Sequence, residues 1–191
     1  MITTLRSAIS FVANSKIKQM KRIVLIFGLV IGTILCANMI VMVNMMYHTH
    51  DFKGNDIVGY AAMVVLFSLI FFGVRNYRNK YLGGLISFGK AFKTGALIAL
   101  IGSTMYVVVW LFYYYLFVPD FIDVYTSHVL NNCAKADLQT KTVEMANFKE
   151  MYKNPFFVIL ITYAEVLPVG LVVTLVSALI LKKKKSKQGY G

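Results

Sequence analysis

Four long stretches of this 191-residue chain carry almost no charge. Ile23–Met46, Ile57–Val74, Gly95–Val118 and Phe156–Leu181 hold between them one carboxylate, Glu165, and no Lys, Arg or His. Each has 18 residues or more, and a helix rising about 1.5 Å per residue needs no more than that to cross a hydrocarbon core of about 30 Å. The expected fold class is therefore all-α: a polytopic membrane protein with four transmembrane helices. A hydrophobic content of 58% exceeds what one water-soluble core of this size requires, and the bilayer absorbs the surplus.

A net charge of +12 would suit a nucleic-acid binder, but its placement argues for a membrane. Arg6, Lys16, Lys18, Lys21 and Arg22 precede the first span. Arg75, Arg78, Lys80, Lys90 and Lys93 lie between the second and third, and Lys182–Lys185 with Lys187 follow the fourth. The connections on the opposite side mix bases with acids and carry a net charge of −2. Bases flanking spans are retained in the cytoplasm, so both termini are expected inside: residues 1–22 as a cytoplasmic extension and 182–191 as a basic tail. Such clusters attract anionic lipid headgroups, and no aromatic-basic motif points to nucleic acid. The first apolar segment, flanked by bases and lacking a small-residue cleavage site, reads as an uncleaved signal anchor. Met20-Lys21-Arg22 would also suit a translation start, which would make the first nineteen residues a weakly structured extension.

The connections differ in kind. Tyr47–Asp56 is short, and Lys53-Gly54-Asn55-Asp56 favours a tight reversal, which makes spans one and two neighbours. Leu85, Phe88 and Phe92 share a helical face away from Lys90 and Lys93, and so predict a short helix lying in the cytoplasmic headgroup layer. Residues 119–155 are too long for a simple link. Pro119-Asp120 and the spacing of Leu138, Met145, Phe148 and Tyr152 predict two exterior helices, parted near Asn131 and Asn132, resting as a cap on the bundle or offering their apolar stripe to a partner. Tyr47, Tyr60, Tyr77, Tyr81, Trp110 and Tyr113–Tyr115 read as interfacial anchors that fix depth.

Inside a bilayer, small residues that let backbones approach mark packing faces. Gly28 and Gly32 in span one, Gly95, Ala99 and Ser103 in span three, and Gly170, Thr174 and Ala178 in span four recur at intervals of four. The spacing does not distinguish a neighbour in the same chain from one in a second copy. Cys36 within a span and Cys133 in the exterior insertion are too far apart for a mutual disulfide.

Glu165 is the costly residue. It sits ten residues into span four, near the bilayer centre, where an ionised side chain costs about 3 kcal/mol on insertion scales. It is expected to face a dry bundle as a neutral acid, held by hydrogen bonds from Asn38, Asn44, Ser103, Thr104 or Thr162. Pro168, three residues on, cannot donate to the carbonyl of Ala164 and loosens the helix there. An acid beside a helix break suits either a structural tie or a proton or cation site. His48, His50, Asp51 and His128 lie on the outer side but lack the fixed spacing of a metal site, and no metal or cofactor is expected. No nucleophile elbow, phosphate loop or zinc-protease motif is present, so no catalytic residue is named.

The chain resembles the bacterial membrane family known as domain of unknown function 4199, found chiefly in Bacteroidetes. The likeness spans roughly Lys21 to Lys184. It rests on Gly84-Leu85-Ile86-Ser87-Phe88-Gly89-Lys90-Ala91-Phe92-Lys93-Thr94-Gly95, on Val118-Pro119-Asp120-Phe121, and on Glu165-Val166-Leu167-Pro168-Val169-Gly170-Leu171 with Ser177-Ala178-Leu179. The resemblance implies a four-span inner-membrane protein without assigned activity, and it places Glu165 and Pro168 in a family pattern. The function expected is a non-enzymatic membrane component that binds a protein partner or lipid, alone or as a homo-oligomer. The alternative is a small oligomeric transporter or channel component with Glu165 as proton or cation site.

Overall fold

The computed structural model of the chain describes the backbone of residues 2–49 and 56–183 and the side chains of 15–48 and 58–183. Among the described residues seven helices follow in order: α1 Ile2–Thr49, α2 Asp56–Phe67, α3 Leu69–Tyr81, α4 Phe88–Phe117, α5 Phe121–Asn132, α6 Leu138–Tyr152 and α7 Pro155–Leu181. Four helical segments are long and apolar enough to cross a membrane: Ser15–His48, Val58–Tyr81, Phe88–Phe117 and Pro155–Leu181. The chain is an all-α protein of the multi-pass membrane type. The reversal expected at Lys53-Gly54-Asn55, and the residues His50 and Asp51, fall outside the described residues.

The second span is two helices. At Ser68 the hydroxyl donates back to the carbonyl of Val65 at 2.6 Å, and the amide of Phe71 donates to the carbonyl of Ser68 at 3.0 Å. A serine that bonds its own preceding turn, together with a tightened i to i+3 step, is a recognised cause of a helix kink. Beyond the kink, α3 packs against α1, α4 and α7 together, whereas α2 lies against α7 and α1. The long helix α4 packs along both α1 and α7.

Glycines set those approaches. A Cβ on Gly28 would stand 2.7 Å from the Ile101 side chain, and one on Gly32 would stand 2.8 Å from Met105 Sδ. On Gly95 it would meet Thr174 Cγ2 at 2.7 Å, and on Gly170 the Ala99 Cβ at 2.9 Å. Ala99 and Ser103 are fully buried. The small-residue faces of spans three and four thus meet each other, and that of span one receives Ile101 and Met105 of α4, all within a single chain. Gly73 plays the same part for α3, where a Cβ would fall 2.9 Å from Ile98 Cδ1 and 3.0 Å from Phe27.

At the basic end, Gly83 and Gly84 take positive φ angles of 63° and 80° and turn the chain between α3 and α4. Ser87 then accepts the amide of Lys90 and caps α4. Phe88–Lys93 are consequently the first turns of α4, not a separate helix lying flat, because after that cap nothing interrupts the helix before the span. Ile86 and Lys183 exchange two backbone hydrogen bonds of 3.0 and 2.9 Å, and Arg78 Nη1 donates to the Leu181 carbonyl at 3.2 Å, satisfying the C-terminus of α7. The extension expected to be weakly structured is helical from Ile2. Tyr77, expected at the interface, is 2% exposed and donates to the carbonyl of Lys16 at 3.3 Å, which ties the extension to α3.

At the other end α5 and α6 form a hairpin against each other, with α6 also touching α7. Ile122, Met145 and Tyr152 turn inward and are buried. Lys149 pairs with Asp123 across the hairpin, and Tyr47 Oη donates to Asp120 Oδ1 at 2.9 Å, joining α1 to the foot of the cap. The cap rests on its own bundle.

A candidate ligand cavity beneath the cap

Because α3 fills the centre of the bundle at the basic end and α2 leans on α7 and α1 instead, space remains in the cap-side half. A cavity of about 300 Å³ lies there, walled by α1, α2, α4 and α7 and roofed by α5 and α6. Five of its wall residues carry polar groups from the spans: Asn38, Tyr106, Trp110, Thr162 and Glu165. Most of the rest of the wall is thioether and aromatic, with Met39, Met42 and Met63 below the cap and Val43 and Gly59 beside them.

Glu165 is exposed to this space and not enclosed in a dry bundle. The reason lies in its position on α7. Val158, Thr162, Val166 and Gly170 form the buried face, and Glu165 stands one step around the helix from Val166, on the side where the wall is open. Asn38 lines the same cavity. The other expected partners point elsewhere. Asn44 Nδ2 donates to its own Ile40 carbonyl at 2.9 Å, Thr104 Oγ1 donates to Leu100 and receives Tyr163 Oη at 2.8 Å, and Ser103 is fully buried in the packed core. Thr162 reaches the wall, but its hydroxyl donates to the carbonyl of Val158 at 2.7 Å. Pro168 is exposed and α7 continues through it to Leu181.

The residues missed from the sequence are the aromatic ones. Trp110 stacks on Tyr114 at 5.8 Å and meets Phe121 edge-on at 5.3 Å; Tyr114 meets Tyr152 edge-on at 5.6 Å, and Phe148 lies 4.8 Å from Tyr152. Trp110 and Tyr114, expected as interfacial anchors, are 7% and 8% exposed. They hold the cap down, and Trp110 also lines the cavity. The signal was available, since Tyr106, Trp110 and Tyr114 recur every four residues and so share one face of α4. Burial raises the phenol of Tyr152 above its ordinary value. The Glu165 carboxylate adds to that rise and a hydrogen bond with Trp110 opposes it. The acid in the span and the aromatic hub of the cap are thus electrostatically linked.

Among the described residues no group of three His, Cys, Asp or Glu side chains converges. His128 contacts the side-chain amide of Asn132 at 3.3 Å. Cys36 is buried in α1, and Cys133, half-buried, donates to the Leu130 carbonyl at 3.2 Å. A second groove of about 410 Å³ runs between α4 and α7 on the outer surface of the bundle, apolar apart from Lys93.

A family model described as "Protein of unknown function (DUF4199)" matches residues 26–183. Neither the curated proteins nor the solved structures contain a match to the chain.

Proposed function

The chain belongs to the DUF4199 family, and we propose that it is a non-enzymatic component of a bacterial inner membrane that binds a small amphiphile or lipid in the cavity beneath its cap. The observation that carries this reading is the cavity itself: a mostly apolar wall with a few convergent polar groups, placed between helices at the cap end. Sites for small ligands have this composition, and their volumes begin at about 300 Å³. The polar groups there make no nucleophile and base pair, which favours binding over catalysis. On this reading the termini are cytoplasmic, following the bases at that end, and the cap faces outward. The groove ending at Lys93 would then seat an acyl chain whose anionic headgroup meets the base.

The chain's one tryptophan, Trp110, lines the cavity, so its fluorescence reads occupancy directly. In neutral maltoside micelles, hexanol should change Trp110 emission saturably. Filling the space with Gly59→Phe and Met63→Phe should abolish the change while the melting temperature holds. A response in the filled variant equal to the parent's would refute the cavity as a binding site. Orientation is tested in intact cells, where an impermeant maleimide should modify Cys133 and leave the buried Cys36 untouched; labelling only after lysis would invert the topology.

A second reading has its own observation. Glu165 opens onto the cavity one turn from Pro168, an arrangement fit for a proton or cation site. Glu165→Gln should then abolish pH-driven flux in proteoliposomes, and a parent without such flux removes this alternative.

A further inference from the structure

The wall of the cavity is chemically one-sided. Among the described residues it presents one carboxylate, Glu165, and six aromatic rings: Tyr106, Trp110, Phe121, Tyr125, Phe148 and Tyr152. No Lys, Arg or His among the described residues takes part in it. An aromatic face is the negative pole of a quadrupole and attracts a cation, most strongly where water is excluded. A carboxylate in the same wall, when ionised, adds a full negative charge, which acts further at the reduced dielectric of a bundle than it would in water. The two features together repel an anion, and they give a neutral ligand apolar contacts and hydrogen bonds but no charge pairing.

The arrangement of the rings sharpens the point. Phe121 meets Trp110 edge-on and stacks on Tyr125, and Tyr125 and Phe148 approach each other at 6.2 Å in a tilted pair. Phe121 and Tyr125 are thus parallel while Trp110 and Phe148 stand at angles to them, so the wall is not one flat stack and can surround a compact charged head. Met39, Met42 and Met63 complete the wall, and flexible thioethers adapt to a short alkyl tail. A volume near 300 Å³ admits such a head and a few methylenes.

We propose that the cavity is a site for an organic ammonium ion carrying a short apolar tail, with Glu165 as its counter-ion and the rings of Trp110, Tyr106 and Phe121 as its cage. This rests on the reading that the cavity binds an amphiphile and names the class of that amphiphile. The ammonium could belong to a free amine or to the headgroup of an aminophospholipid, since the chemistry is shared.

The test uses the full chain in neutral maltoside micelles, with Trp110 emission as readout and three matched probes: hexylammonium, hexanol and hexanoate. Hexylammonium should saturate the signal at a concentration about tenfold below hexanol, with hexanoate weakest. Glu165→Gln should bring hexylammonium to within about twofold of hexanol, and a melting temperature near the parent's shows that the variant is folded. Equal half-saturation by hexylammonium and hexanol in the parent overturns the ammonium assignment but leaves the cavity as an amphiphile site. No saturable change with any probe overturns both. The parent's ratio decides the matter even if the Gln variant fails to fold, and an undiminished preference in a folded Gln variant overturns the role of Glu165. The source is then assigned by adding phosphatidylethanolamine to the micelles: a loss of hexylammonium affinity identifies the headgroup, and an unchanged affinity identifies a free amine.

Discussion

The two halves of the bundle solve the same problem in opposite ways. At the basic end Ile70, Val74, Ile98 and Ala99 are fully buried, glycines bring backbones into contact, and the Tyr77–Lys16 and Arg78–Leu181 hydrogen bonds tie α3 to α1 and α7. At the cap end the helices part around a cavity, and contact passes to rings and thioethers. Lipid tails are as apolar as Leu, so association inside the membrane depends on close packing and hydrogen bonds, not on removal of apolar surface from water. A half built on contact is rigid. A half that gives up contact can admit a guest, and its cost is met by stacking the cap upon it.

The sharpest way to break this comparison is to overfill one half and then the other. Gly95→Leu places new atoms where a first Cβ already lies 2.7 Å from Thr174 and 3.0 Å from Ile70, two different helices. A loss of about 3 kcal/mol or outright misfolding is expected. Gly59→Leu, where a Cβ meets nothing within 4 Å, should change stability by less than about 0.5 kcal/mol. Detergent unfolding curves measure both, and equal losses would mean that the cap-side half is as tightly determined as the other.

How far this division could be read from sequence depends on the kind of contact. The spans and the close-packed faces were legible because both depend on residue type at fixed spacing: length without charge for the first, Gly28, Gly32, Gly95 and Gly170 for the second. Gly73 escaped because no small residue stands four positions away to complete a pattern; its role depends on which helix α3 meets. The cavity was not legible at all. It lies where α2, parted from α3 at Ser68, packs on α7 and α1 and not along α4, and a serine signals such a break only once its hydroxyl is seen bonded to Val65. Glu165 was placed at the right depth, yet depth does not say which side of α7 opens onto a space. Without that, a dry neutral acid was the reasonable expectation and an acid lining a cavity was not.

A pair of isosteric changes sharpens the contrast at smaller scale. Thr174, at the tight end, is 1% exposed, and its hydroxyl oxygen has no hydrogen-bond partner. Thr162, on the cavity wall, spends its hydroxyl on Val158. Replacing Thr174 by Val removes a buried polar atom at little change in shape and should stabilise by about 1 kcal/mol. Thr162→Val deletes a made bond and should destabilise by about 0.5 to 1 kcal/mol. Opposite signs in the same unfolding assay support the division between the halves; like signs would refute it.

The smallest expected effect is a pH dependence of cap docking. The Tyr152 phenol is held above its ordinary value of 10.0, first by burial and then by the Glu165 carboxylate. The sign follows from linkage: with the folded value raised, the docked cap keeps its proton at a pH where the undocked tyrosine loses it. Docking stability is therefore fully present below about pH 10 and falls as pH rises from there through the folded value. Protease nicking near Ala134, between α5 and α6, should accelerate above pH 10 in the parent. Tyr152→Phe keeps the ring that meets Tyr114 and Phe148 but has nothing to ionise, so its nicking should rise less over the same range. Glu165→Gln should fall between them, because it removes the second cause of the raised value and leaves burial in place. An identical alkaline rise in all three proteins would separate Tyr152 from the behaviour of the cap and, with it, the electrostatic link between the roof of the cavity and the acid in its wall.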